Sequence, residues 1–236
     1  MKTVIARKKF RTLLCAVLSV PAVLPLCAQE ADRRPRWQVD LVGALDNYEA
    51  WEVEPSVTYR PFAYVGATLG LLFVSPYRGE SPGGVAQDVR FLWSLADDRA
   101  DSHFLALRPA FRLDTPRLWL GRDRDCALCL SVSPGLTLPL PSNRRFSVDY
   151  FPNREGAWTA VRREEVVNRG ARAVFWHLRA ALSLELDEAV VFSAGYTVSD
   201  FDLYAGSRNV VIEGKRLDRP KHGLMHSVFV GIGCRF

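Results

Sequence analysis

Ten stretches of this chain alternate, residue by residue, between apolar and other side chains. That period of two constrains the fold more than any other feature. The stretches are 37–45 (WQVDLVGAL), 51–60 (WEVEPSVTYR), 64–73 (YVGATLGLLF), 88–95 (DVRFLWSL), 104–113 (FLALRPAFRL), 127–138 (ALCLSVSPGLTL), 145–151 (RFSVDYF), 174–186 (VFWHLRAALSLEL), 189–199 (AVVFSAGYTVS) and 224–236 (LMHSVFVGIGCRF). Side chains of a strand point to opposite faces in turn, so each stretch reads as a strand between two different surroundings. In a chain that is 24% charged, the apolar faces carry no Asp, Glu, Lys or Arg and one His, His226. The opposite faces hold Asp40, Glu52, Glu54, Arg60, Arg108, Arg112, Arg179, Glu185 and Arg235, with Gly, Ser and Thr between them.

The N-terminus has a different design. Residues 1–28 open with Lys2, Arg7, Lys8, Lys9 and Arg11, continue as an apolar run from Leu13 to Leu26 and end on small Ala28. That order predicts a cleaved secretory signal peptide, with the barrel in 29–236. Pro21 and Pro25 interrupt the run and argue against a membrane-anchoring helix. The charge balance follows: 31 Lys+Arg less these five leaves 26, against 26 Asp+Glu. The net charge of +5 belongs to the export signal, and nucleic-acid binding loses its support. Cys126, Cys129 and Cys234 remain beyond the signal. The first two fall on opposite strand faces, with no second pair or nearby His to complete a zinc set. No metal or other cofactor is expected.

Strands with one apolar face suit a soluble barrel filled with apolar side chains or a transmembrane barrel turned inside out, and periodicity alone does not separate them. Aromatic placement does. With strands running alternately up and down, Trp37, Tyr59, Tyr64 and Phe236 fall at the lower rim. Trp51, Phe73, Trp176 and Tyr196 fall at or near the upper rim. Aromatics at both ends of an aliphatic band match two membrane interfaces.

The predicted fold is therefore all-β, an antiparallel up-and-down transmembrane barrel of ten strands. Long outer loops are expected at 74–87, 114–126, 152–173 and 200–223, with short turns at the other end. An alternative of eight strands assigns 88–95 and 145–151 to loops and moves 114–126 to the periplasmic side. Pro55, Pro109 and Pro134 fall inside three of the strands, where each removes a ladder donor.

The signal-like start, the alternating strands and the terminal SVFVGIGCRF together resemble the small outer-membrane β-barrel (porin-like) family of Gram-negative bacteria. LSLELDEAVVFSAGYTVSDFDLY is also similar to that family's hairpins. The resemblance implies an outer-membrane location and contact with outer-membrane lipid. It further implies recognition by the barrel-insertion machinery through the terminal strand, on Val228, Val230, Ile232, Cys234 and Phe236. It does not imply a single activity.

The inward charges are mixed in sign, and so few strands leave little space once Arg and Glu fill them. Buried ions must pair. The expectation is a salt-bridged, non-conducting lumen, with a structural role or loop-mediated binding of an extracellular ligand. The alternative is a narrow passive channel. The short strands would add Asp88, Arg90, Arg145 and Asp149 to the lumen.

Catalysis ranks third. Asp200 and Asp202 (DFD) with Asp101 and His103 (DSH) are similar to the acid and Asp–His pairs of the omptin proteases, but they share a rim only with eight strands. A lipid-modifying site would need a Ser beside a His on one face. Adjacent His226 and Ser227 point to opposite faces, and His222 has no such serine. His177 is read as a lumen hydrogen-bonder. The chain is expected not to be an enzyme.

Overall fold

The computed structural model describes residues 36–77, 82–95, 104–120, 125–141, 144–156, 159–168, 171–217 and 219–236. The expected signal segment, Asp101 and His103 lie outside them. Eight long strands form the body: β1 (Trp37–Asp46), β2 (Ala50–Tyr59), β3 (Val65–Pro76), β4 (Leu105–Asp114), β5 (Cys126–Pro139), β6 (Phe175–Leu186), β7 (Val190–Ser199) and β8 (Met225–Arg235). Each pairs antiparallel with its neighbours in sequence, and β8 returns to β1, so the sheet closes. At the seam Gln38 faces Arg235, and Trp37 and Phe236 exchange both backbone hydrogen bonds at 3.0–3.1 Å. Closure leaves the ring without a free edge.

The barrel has eight strands, not ten. The segments Phe91–Leu95 and Arg144–Pro152 pair with each other outside the ring, flanked by Gly83–Val85 and Arg162–Asn168 in a separate four-stranded sheet. Their alternation is real, but its apolar side meets protein. Trp93, Leu95, Phe146, Val148 and Tyr150 are buried together with Val210, Ile212 and Leu217. The barrel strands do the reverse. Leu41, Leu69, Phe111, Leu182, Val230 and Ile232 are each at least half exposed, while Asp40, Glu52, Glu54 and Arg108 are buried. An exterior of this kind suits lipid and an interior of this kind excludes it, the arrangement of a transmembrane barrel. Phe91–Leu95 is also too short at five residues to cross a bilayer, which takes about nine to eleven in a tilted strand.

One end of the barrel holds the start of β1, the end of β8, the turns 60–64 and 187–189, and residues 115–120 and 125. The tight turn at Asp187 and Glu188 takes positive φ at both residues, 49° and 57°, the backbone of a two-residue hairpin. Residues 115–120, placed in the outer loop 114–126 by the ten-strand reading, lie at this end. Leu118–Leu120 pairs there with the start of β5 and extends the wall. The other end holds the turn 47–49 and, among the described residues of the long connections, 82–95, 144–156, 159–168 and 200–217. From these come the four-stranded sheet and a small hairpin, Val211–Ile212 with Lys215–Arg216.

The strand prolines are absorbed without bulges. Between β2 and β3 the ladder pairs Val53 with Phe73, passes over Glu54 and Pro55, and resumes at Ser56–Gly70 in the same register. Between β4 and β5 it passes over Pro109 and Pro134 in the same way. Each missing donor leaves a skipped rung, not a shift of face.

Candidate functional site: the barrel interior and the loop cap

The inward positions form three layers. At the loop end the wall is apolar: Ala50, Leu72, Val74, Ala106, Phe175 and Met225. Residues following β7 fold down onto it, burying Phe201, Leu203, Tyr204 and Ala205. Phe175 and Phe201 meet edge to face, 5.2 Å between centroids. The DFD motif is thus built around a buried Phe201 with both acids engaged. Asp200 accepts the Trp176 backbone N–H at 2.7 Å and pairs with Arg172, and Asp202 holds Arg208.

The middle layer is ionic. Arg108 Nη1 lies 3.0 Å from Glu52 and 2.9 Å from Glu54, and Arg179 Nη2 reaches Glu54 Oε2 at 2.6 Å. Ser227 Oγ donates to Glu52 at 2.6 Å. These contacts come from β2, β4, β6 and β8, which are not neighbours in the sheet, so they cross the interior. Arg179 also stacks on Phe229, 4.9 Å from its centroid, and His177 Nδ1 meets Thr137 at 3.2 Å. Small residues make the space. A Cβ at Gly70 would run into the Glu54 carboxylate, and one at Gly233 into that of Asp40.

The layer nearest the termini continues the pattern. Asp114 accepts from Arg60 at 3.0 Å and from Arg112 at 2.7 Å, and Glu185 is shared by Arg117 and Arg235. Gln38 accepts from Arg60 at 2.7 Å and from Arg235 at 2.8 Å, and donates to Asp40. All nine charges singled out on the inward faces therefore sit in two runs of contacts, Glu52, Glu54, Arg108 and Arg179 in mid-barrel and Asp40, Arg60, Arg112, Glu185 and Arg235 in the layer below. Ser227 joins the first from outside that set, and Gln38, Asp114 and Arg117 join the second. Asp114 and Arg117 fell in the expected outer loop, but Gln38 and Ser227 share parity with Asp40 and Arg235 and were within reach of the alternation itself. The open space in mid-barrel is a void of about 40 Å³, room for one or two water-sized guests.

The four charges expected from the short strands are not in the lumen. Asp149 binds Arg163 through both oxygens at 2.6 and 2.9 Å, Asp88 binds Arg90, and Arg145 stands exposed. They belong to the cap formed by the four-stranded sheet and the hairpin. There Tyr150 Oη donates to Glu213 at 2.8 Å, and Glu213 also accepts the Gln87 backbone N–H at 2.9 Å. The Arg163 guanidinium holds the Asp149 carboxyl below its ordinary range. The Gln87 N–H and the Tyr150 hydroxyl lower that of Glu213. Burial, then the bond to Glu213, pushes Tyr150 up to about 12. On the sheet's other face is a groove of about 690 Å³, lined by Val85, Leu92, Phe151, Pro152, Asn153 and Arg154.

On the lipid side, Trp37, Trp51, Phe73, Trp176 and Tyr196 are exposed, with Tyr59 and Tyr64 half-buried. Trp37 and Tyr59 pack at 4.7 Å. Val228, Val230, Ile232, Cys234 and Phe236 face outward along the closing strand. His226 binds the Tyr196 hydroxyl at 2.6 Å and faces away from Ser227, whose hydroxyl is in the lumen. His222 packs edge-on against Tyr48.

The sequence matches no protein-family model, and no curated protein matches it. Solved structures with a similar course of chain include natural and designed membrane β-barrels. The N-terminal β-barrel domain of Pseudomonas aeruginosa OprF is 11% identical over 86% of this chain and 98% of its own, with a TM-score of 0.42. Neisserial surface protein A is 10% identical over 85% and 96%, with a TM-score of 0.43. The attachment invasion locus protein Ail of Yersinia pestis, solved with the heparin analogue sucrose octasulfate, is 9% identical over 86% and 100%, with a TM-score of 0.39.

Proposed function

We propose that this chain is an outer-membrane barrel, exported through a cleaved signal and inserted by way of its terminal aromatic strand, and that it works as a closed pedestal for a surface-binding cap. The observation that carries the reading is the contrast between interior and cap. The interior is filled from end to end by an apolar plug and cross-barrel ion pairs around a void of about 40 Å³, too small for a water-filled channel. The long connections at one end assemble a sheet with its own buried core and an apolar groove on the face away from it. Catalysis at the rim lacks support from Asp200 and Asp202, since both carboxylates are occupied by arginines.

Two measurements test the parts separately. Reconstituted in a planar bilayer, the chain is expected to leave conductance at the level of bare lipid. A steady open channel would replace the pedestal with the narrow-channel reading. Cells displaying the chain are expected to adhere to a surface coated with an immobilised apolar peptide, matched to the groove of Val85, Leu92, Phe151 and Pro152, more than cells without it. A double variant, Leu92→Asp with Phe151→Asp, should remove that gain while preserving heat-modifiable barrel migration. Equal adhesion of all three would sink the binding role.

A further inference from the structure

The four-stranded sheet of the cap has one long open edge. Arg162–Asn168 ends the sheet, pairing with Arg144–Pro152 on one side and with no strand among the described residues on the other. The Asn153 N–H donates to the Arg90 carbonyl, so odd-numbered residues of 144–153 direct their backbone groups toward 91–95 and even-numbered ones toward 162–168. Facing those even residues are Arg162, Glu164, Val166 and Asn168. The N–H and C=O groups of Arg163, Glu165 and Val167 therefore point out along the edge, and all three side chains are exposed. Such an edge invites a further strand unless proline or charge blunts it. Charge of one sign would repel a second copy, but in RREEVVN two arginines precede two glutamates and cancel them.

We propose that this edge pairs with the same edge of a second copy of the chain, antiparallel about a two-fold axis at Glu164. The backbone pattern limits the register. Each hydrogen-bonded pair must join two outward-directed, odd-numbered residues, so the axis passes through a residue and never between two. An axis at Arg163 or at Glu165 sets that residue against itself. An axis at Glu164 instead sets Arg163 opposite Glu165 twice. Both are able to bond: Arg163 gives Nε and Nη2 to Asp149 and keeps Nη1, and Glu165 makes a loose contact of 4.0 Å with Arg145. The two Glu164 carboxylates that meet at the axis are each already held by Arg162 at 3.2 Å and by the Tyr150 hydroxyl at 3.2 Å. Run antiparallel, the strand is its own complement, which selects a second copy over an unrelated extended peptide. The pairing uses the edge of the sheet and the proposed adhesion uses its groove, so neither reading falls with the other.

The ladder is short and the contact correspondingly weak, so its test is a covalent trap. The exported chain is purified in detergent micelles, which impose no mutual orientation on two barrels, with Cys126, Cys129 and Cys234 replaced by serine. Residues 164 of the two copies would be a directly opposed, non-hydrogen-bonded pair, with Cα atoms about 4.5 Å apart and within disulfide reach. Glu164→Cys should therefore cross-link on mild oxidation. Val167→Cys, equally on the edge but about 20 Å from its counterpart, should not. Added to Glu164→Cys, either Arg163→Glu or Glu165→Arg should slow cross-linking roughly tenfold by setting like charges opposite each other. Mixing those two chains should restore the rate, in heterodimers alone. Should a charge variant fail to fold, the comparison of 164 with 167 decides. Equal cross-linking at those two positions, or a mixture no faster than its components, would overturn the pairing.

Discussion

Arg179 on β6 and Glu54 on β2 meet at 2.6 Å across the barrel, between strands that stand on opposite sides of the ring. Each is remote from the other in sequence, and neither has water to fall back on. Closure of the sheet and neutralisation of these charges are therefore one event, and the interior should behave as a unit when it is damaged.

Glu54→Gln should be strongly destabilising. It leaves Arg108 short of one partner and Arg179 without its carboxylate, and breaking one side of a buried pair costs about 3–5 kcal/mol. Replacing Glu54 and Arg179 together by Leu and Met should recover most of that loss. Urea unfolding of the three variants in lipid vesicles measures both effects. Equal stability of Glu54→Gln and the parent would show that the pair contributes nothing.

Gly70→Val tests the space that the network needs. The new side chain would enter the volume of the Glu54 carboxylate and force it off Arg108. Overpacking of this kind costs about 1–3 kcal/mol, and the loss should shrink in a Glu54→Ala background, where the space is free. Additive losses would mean that the two sites do not share that volume.

The plug should loosen without the barrel. Phe201→Ala with Leu203→Ala removes the two side chains most deeply set against Leu72, Phe175 and Met225. Each such truncation in a core costs about 2–5 kcal/mol. Here the loss should appear as protease cutting after Arg208 or Arg216 while the barrel stays heat-modifiable. Protection equal to the parent would remove the plug from the account.

Acid should open the cap before the barrel. Asp149 and Glu213 have folded pKa values held below their ordinary ones by Arg163 and by the Gln87 N–H. A depressed carboxylate contributes stability that is complete above its unfolded pKa, about 4, and is lost as pH falls through the lower folded value. Tyr150, pushed up to about 12, stays protonated throughout. Amide exchange in 83–95 and 144–168 should therefore quicken below about pH 4 with β1–β8 still protected. Simultaneous loss of both regions would contradict a separately stabilised cap.

Strand count has its own chemical test. With Cys126, Cys129 and Cys234 replaced, a single cysteine at exposed Arg145 should take a membrane-impermeant maleimide on whole cells. One at exposed Phe62 should react after lysis alone. A ten-strand wall would put position 145 at the periplasmic end of a strand and leave it unlabelled on intact cells.

What the sequence determined by itself was the face of each residue. Side-chain direction in a strand follows parity, and the aromatic rims chose which face is outer, so Asp40, Glu52, Glu54, Arg108, Arg179 and Arg235 could be assigned inward and Val228, Val230, Ile232, Cys234 and Phe236 outward without knowing any partner. Parity carries no information about what an apolar face touches. Lipid and a neighbouring hairpin reward the same side chains, so 88–95 and 145–151 looked like two more membrane strands until Phe146 and Val148 were found fully buried against Ile212 and its neighbours. Nor could parity say that Glu54 belongs to Arg179, or that Asp114 and Arg117 join the network from the end of β4 and a turn. Those partners are chosen by the circumference at which the sheet closes and by the stagger of its strands, quantities that exist in the closed ring and in no single strand.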